Sequence, residues 1–190
     1  RQLEENLRVY AYPFDDYWED IGTIRAFYEA NLGFVRTVPE FNFYNEYRPI
    51  YTHGRYLPPS KITRATTDHA ILAEGCIVDE AYVRYSIVGV RSLVGKGSTI
   101  IDTIMMGADY YETDEQRAEN ARLARPNIGI GHDCHIEGAI IDKDARIGHA
   151  VRIVAGNVPN QEGDGWMVRD GIVVIEKKAI IPDGTQLLFR

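Results

Sequence analysis

The chain has 190 residues, 45% of them hydrophobic, and a formal net charge of −7. That length supports one good core, or one core and a fragment of another. The acidic balance excludes nucleic acid as the main partner, because phosphate backbones need a basic face, and no apolar run is long enough for a membrane helix.

Residues 1–36 are predicted to run strand, acidic turn, helix. The opening "RQLEENLRVYAY" reads as the middle of a longer chain running into a strand-like "LRVYAY". In "YWEDIGTIRAFYEANL" two acids, Glu19 and Asp20, stand between Trp18 and a Gly-Thr pair. Thr23 suits an N-cap, and Ile24, Phe27, Tyr28 and Leu32 fall at helical spacing. On the residues alone, Glu19 and Asp20 read either as carboxylates capping that helix or as oxygen ligands for a hard cation. Residues 37–61, "TVPEFNFYNEYRPIYTHGRYLPPSK", carry no period. Their prolines and aromatics predict an extended linker packed down by its Tyr and Phe side chains.

From residue 62 to 190 aliphatic residues recur every six positions: Leu72 and Val78; Val88, Val94 and Ile100; Ile130 and Ile136; Ile147 and Ile153; Ile175 and Ile181. Small or modest residues follow four places later: Cys76, Ser92, Ser98, Cys134, Val151, Ala179 and Thr185. Six matches neither a helix nor a hairpin meander. It is the hexapeptide period of a left-handed parallel β-helix, in which six residues make one flat side and three sides make a coil. The aliphatic residue fills the prism, and the residue four later must fit a crowded corner. The expected fold class is therefore mainly β. Leu72, Val94, Ile136, Ile147 and Ile181 are expected to point inward, and Cys76 and Cys134 to be buried thiols, as in a reducing compartment. Two stretches break the period, 102–127 with a charged helical run and the polar, Gly-rich 155–171. Both are expected to lie outside the coils.

The stretches "YWEDIGT", "RYLPPSK", "SIVGVRS", "MMGADYYETD", "IIDKDARIG" and "DGIVVIEKKAIIPDGT" resemble, in order, the C-terminal part of ADP-glucose pyrophosphorylases. These are the glucose-1-phosphate adenylyltransferases of glycogen and starch synthesis, and the likeness is to the cyanobacterial and plant type. The hexapeptides alone are shared with many acyltransferases, whereas "MMGADYYETD" between coils is specific. The resemblance implies an upstream nucleotidyltransferase domain, of which residues 1–36 are the tail. It also implies a reaction of ATP with glucose 1-phosphate giving ADP-glucose and pyrophosphate with Mg²⁺, a cytoplasmic or plastid location, and a homo- or hetero-tetramer assembled partly through the β-helix. The chain alone is then expected to be inactive.

The resemblance assigns Asp20 as a catalytic ligand of the Mg²⁺. It assigns Arg55, Lys143 and Lys177 to an anion site for a phosphate-bearing effector, 3-phosphoglycerate or orthophosphate. Converging ammonium and guanidinium groups suit that ligand. His53, beside Arg55, stands where related sequences often carry Gln or Ser, and would make anion affinity pH-sensitive. Lys178 leaves the choice between the two neighbouring lysines open. Two other readings stand beside this one. A hexapeptide acyltransferase would use His132, His135 or His149 as general base and bind coenzyme A. A purely structural β-helix would bind no ligand.

Overall fold

The structure, a computed structural model, describes residues 8–189. Of the predicted first strand, residues 7–12, only Leu7 falls outside that range. The remainder, residues 8–12, is exposed and forms no strand, having no pairing partner among the described residues.

The six-residue period folds as the sequence predicts, into stacked coils of short parallel strands. The first coil holds β1 (Lys61–Thr63) and β2 (Thr66–Leu72), and the second β3 (Ile77–Asp79) and β4 (Tyr82–Val88). β5 (Leu93–Val94), β6 (Thr99–Ile101) and β7 (Ile104–Met105) make the third. After a helix, α2 (Asp114–Arg122), come β8 (Gly129–Ile130), β9 (His135–Glu137) and β10 (Ala139–Ile141), then β11 (Arg146–Ile147) and β12 (Arg152–Val154). A hairpin, β13 (Gln161–Gly163) and β14 (Trp166–Arg169), precedes β15 (Ile172–Ile175), β16 (Ile180–Ile181) and β17 (Gln186–Leu188).

Pairing from coil to coil builds three flat sides. One side is β1-β3-β5-β8-β11-β16. The first halves of β2 and β4 join β6, β9, β12 and β17 in the second. Their second halves join β7, β10 and β15 in the third. In the in-register column Thr67, Val83, Ile100, Ile136, Ile153 and Leu187, every coil after the first returns the same phase to the buried prism interior. Val94, Ile136, Ile147 and Ile181 are buried as expected. Leu72 is only half-buried, because it belongs to the first coil and no further coil covers it. At the corners Cys76, Ser92, Ser98, Cys134, Val151 and Ala179 are buried. Ser92 donates to Gly89 O at 2.7 Å and Ser98 to Gly131 O at 2.9 Å, so a small polar residue closes the turn. Both cysteines are free thiols.

The insertions differ from expectation in two ways. The first begins after Met105, not at Asp102, because Ile104 and Met105 are buried and paired on both sides. It is fastened by Glu112, whose carboxylate accepts from Ile128 N–H (2.8 Å) and Asn120 (2.7 Å) and pairs with Arg146 (2.6 Å). The second insertion is not wholly outside the coils. Its hairpin adds β14 antiparallel to β15, buries Val168 and covers the edge of the third side.

The helix α1 (Ile24–Gly33) forms as its pattern predicts, with Thr23 as N-cap accepting from Ala26 N–H. Its apolar stripe, Ile24, Phe27, Tyr28 and Leu32, docks on the outside of the third side. There the outward column Ile87, Ile104, Ile140 and Val174 supplies an apolar face. Tyr28 donates to Asp102 O at 2.5 Å and Arg25 to Asp170 O, which fixes the helix register. Past the helix, His69 bonds both Thr37 (3.0 Å) and Asp68 (2.7 Å) and stacks on Tyr85. The linker packs only in part. Phe34, Phe41 and Phe43 cluster, but Tyr44, Tyr47, Tyr51 and Tyr56 face solvent, so its aromatics do not hold it down throughout.

Candidate anion site

One corner of the prism carries the predicted cations. Backbone bonds define it as a column: Gly75 N–H to Pro58 O, Arg91 to Glu74 O, Ala108 to Val90 O, Asp144 to Gly107 O, and Lys178 to Lys143 O. Lys143 and Lys177 occupy the same phase in successive coils, one spacing of about 4.8 Å apart along the axis. The structure brings them together on one carboxylate. Lys143 Nζ lies 2.8 Å from Asp109 Oδ1, and Lys177 Nζ 3.0 Å from Asp109 Oδ2. Backbone shape separates the two neighbouring lysines. Lys178 takes the left-handed corner turn (φ 61°) and gives its N–H to Lys143 O, while Lys177 faces Asp109.

Hydrogen bonds from Lys143 and then Lys177 hold the Asp109 carboxyl down at about 2. The bond to Asp109 likewise raises the Lys177 ammonium. All three groups are half-exposed and within reach of a solute. Beneath them Asp144 is buried; its Oδ1 accepts Asp109 N–H at 2.8 Å, and its Oδ2 has no partner among the described residues. Sequence reasoning missed Asp109 and Asp144. Asp109 stands in "MMGADYYETD", and its phase is hidden because the insertion, not a hexapeptide, follows it.

Arg55 and His53 sit at the head of this column rather than beside the lysines. Arg55 donates to His53 O at 3.3 Å, both are exposed, and the chain joins the corner three residues later at Pro58. Pro58 lies four rungs from Lys143, roughly 19 Å at the usual strand spacing. Between them Tyr111 donates to Gly75 O (2.7 Å) and lies under the Arg91 guanidinium (5.9 Å), so the insertion folds back along the same corner.

Asp20 is exposed and outside the helix cap. Its Oδ1 accepts Gly22 N–H at 3.1 Å, and Thr23, not Glu19 or Asp20, caps α1. Among the described residues no three His, Cys, Asp or Glu gather as a metal site. One free carboxylate fits as a contributed Mg²⁺ ligand, not as a site. His132 and His149 stack at another corner (4.9 Å), and His149 Nδ1 accepts His132 N–H, which occupies the nitrogen a general base would use. His135 faces Glu137 at 3.3 Å on the second side.

A family model described as the GLGC left-handed parallel β-helix domain matches residues 55–186. This chain belongs to that family. The GLGC match covers all the coils, from the head of the lysine corner to β17, and gives the prism its left hand. A relative in Triticum aestivum, the glucose-1-phosphate adenylyltransferase small subunit, chloroplastic/amyloplastic, is 47% identical over 185 residues. The alignment takes in 94% of this chain and 39% of the relative, so the GLGC coils and α1 together span well under half the relative's length. No helix among the described residues is long and apolar enough to cross a membrane.

Proposed function

We propose that the whole protein is a glucose-1-phosphate adenylyltransferase, joining ATP and glucose 1-phosphate into ADP-glucose and pyrophosphate. In this reading the chain is the portion that senses a phosphate-bearing effector and assembles subunits into a tetramer, in a plastid as the relative's name states. The observation that carries the regulatory role is where the lysines stand. β10 and β15 lie under α1, and each runs within two residues into Lys143 and Lys177; β7, between β4 and β10, leads to Asp109. Ile140 and Val174, against the helix, are three residues from the two ammonium groups. In this reading a shift at the corner is conveyed through the strand ends to α1, which begins four residues after Asp20.

A phosphate oxygen on each ammonium forms charge-assisted bonds, while Arg55 and His53 stand four rungs away at the head of the column. Such binding regulates only if the active and inactive arrangements differ in affinity for the anion. Asp20 would supply one carboxylate oxygen to a Mg²⁺, and that ion, when bound, would neutralise phosphate charge. The test is ADP-glucose formation by the full-length enzyme over a range of 3-phosphoglycerate. Lys143→Ala and Lys177→Ala are expected to raise the half-maximal effector concentration about tenfold to a hundredfold, with unactivated turnover nearly unchanged. Asp20→Asn is expected to do the reverse, lowering turnover without moving effector response. Unchanged effector response in both lysine variants would refute the assignment.

A further inference from the structure

The lysine pair is already neutralised by its own chain. Asp109 bridges the two ammonium groups with one oxygen each, as two oxygens of a phosphate would. It is also held in place from behind. The buried Asp144 accepts Asp109 N–H at 2.8 Å, Ala108 N–H bonds Val90 O at 2.8 Å, and Asp144 N–H returns to Gly107 O at 3.1 Å. A carboxylate tethered this way presents a high effective concentration to the cations. Any incoming anion must first displace it.

We infer that Asp109 is a built-in competitor at the anion site, positioned by Asp144, and that it makes the site select dianions. A monoanion replaces one single charge by another and forfeits the advantage of the tether. Only a ligand with a second negative charge, a phosphate or a phosphoric monoester, gains enough from two lysines to win the exchange. Apparent affinity is then the intrinsic affinity reduced by the fraction of sites that Asp109 leaves open. This rests on the lysine corner binding anions, and the experiment separates the two claims.

The chain itself is titrated calorimetrically with orthophosphate at about pH 8, where phosphate is dianionic, at constant ionic strength. Sulfate and nitrate are compared in the same way. Asp109→Asn keeps the shape and removes the charge. It is expected to bind phosphate about threefold to thirtyfold more tightly than wild type, the range for releasing two exposed ion pairs. Asp109→Glu is expected to stay near wild type, and wild type to prefer sulfate over nitrate by more than Asp109→Asn does. Equal or weaker phosphate binding by Asp109→Asn overturns the competitor, as does a wild type that binds nitrate as well as sulfate. That wild-type comparison decides the matter even if the variant does not fold. Failure of wild type and Asp109→Asn alike to bind phosphate or sulfate overturns the anion site itself.

Discussion

Two isoleucines four residues apart separate the stability of the prism from the docking of α1. Ile136 points into the prism and is 0% exposed; Ile140 points outward beneath α1 and is 4% exposed. Truncation of either to Ala removes three carbon groups, about 2.4 kcal/mol of transfer free energy at roughly 0.8 per group. At Ile136 that loss falls on the core, which relaxes poorly because strands above and below fix it. A cavity penalty brings the cost to about 2–5 kcal/mol. At roughly 2–4 °C per kcal/mol for a chain of this size, melting drops by about 4–20 °C. At Ile140 the cost is limited by what α1 contributes, since no residue of α1 is fully buried and the helix detaches before the coils open. Ile140→Ala should therefore speed amide exchange across Ile24–Gly33 by up to about fiftyfold, the equivalent of about 2.4 kcal/mol, with little change in the coils' melting. Ile136→Ala should do the opposite. Hydrogen exchange read by mass spectrometry, beside a thermal melt, distinguishes them. If both variants melt alike and α1 exchanges no faster in Ile140→Ala, the helix is not a separately docked element, and the proposed relay through it fails.

Two further outcomes follow from buried groups. Burial alone would raise Glu112, but bonds from Ile128 N–H, Asn120 and Arg146 outweigh it and hold the carboxyl below its ordinary value. Its contribution is thus present above the ordinary value of 4.5 and is lost as pH falls through the lower folded value. Glu112→Gln should cost about 3 kcal/mol at neutral pH by leaving Arg146 unpaired, and its stability curve in urea should be flatter below about pH 4.5 than wild type; an identical acid limb would count against this. The inward register is tested by adjacent residues. Ile181→Asp should cost at least about 3 kcal/mol and Ile180→Asp within about 0.5, because Ile181 is 1% and Ile180 45% exposed; equal costs in denaturant titrations would refute the register.

The coils were legible because a six-residue period has one structural solution, and every aliphatic residue it picks out lies in the prism or against it. The helix was legible for the same kind of reason: Ile24, Phe27, Tyr28 and Leu32 share a face, and that face is the one buried. What the period cannot show is which residues between its beats meet across coils. Asp109 and Lys177 are 68 positions apart, and Lys143 and Asp109 34. Their meeting depends on how many residues an insertion spends before returning to the same corner. The hairpin at β13 and β14 was hidden for a related reason. "NQEGDGWMVRDG" is polar because its outer strand is exposed, and only Val168 and Trp166 mark the inner one.

The same geometry favours the proposed role of the lysine corner in control over a role in chemistry. A reacting site needs an excluded pocket and groups held against the substrate from several directions. This corner offers half-exposed cations on one edge of a rigid prism and a carboxylate already in place. Nothing on it would exclude water or orient a leaving group. It is, however, joined to the strands on which α1 rests, and among the described residues α1 is the one helix between the coils and the segment carrying Asp20. On the proposed function, occupancy biases the position of that segment without touching it. The free energy available is limited to what an anion gains beyond Asp109, which predicts a graded response rather than an on–off switch.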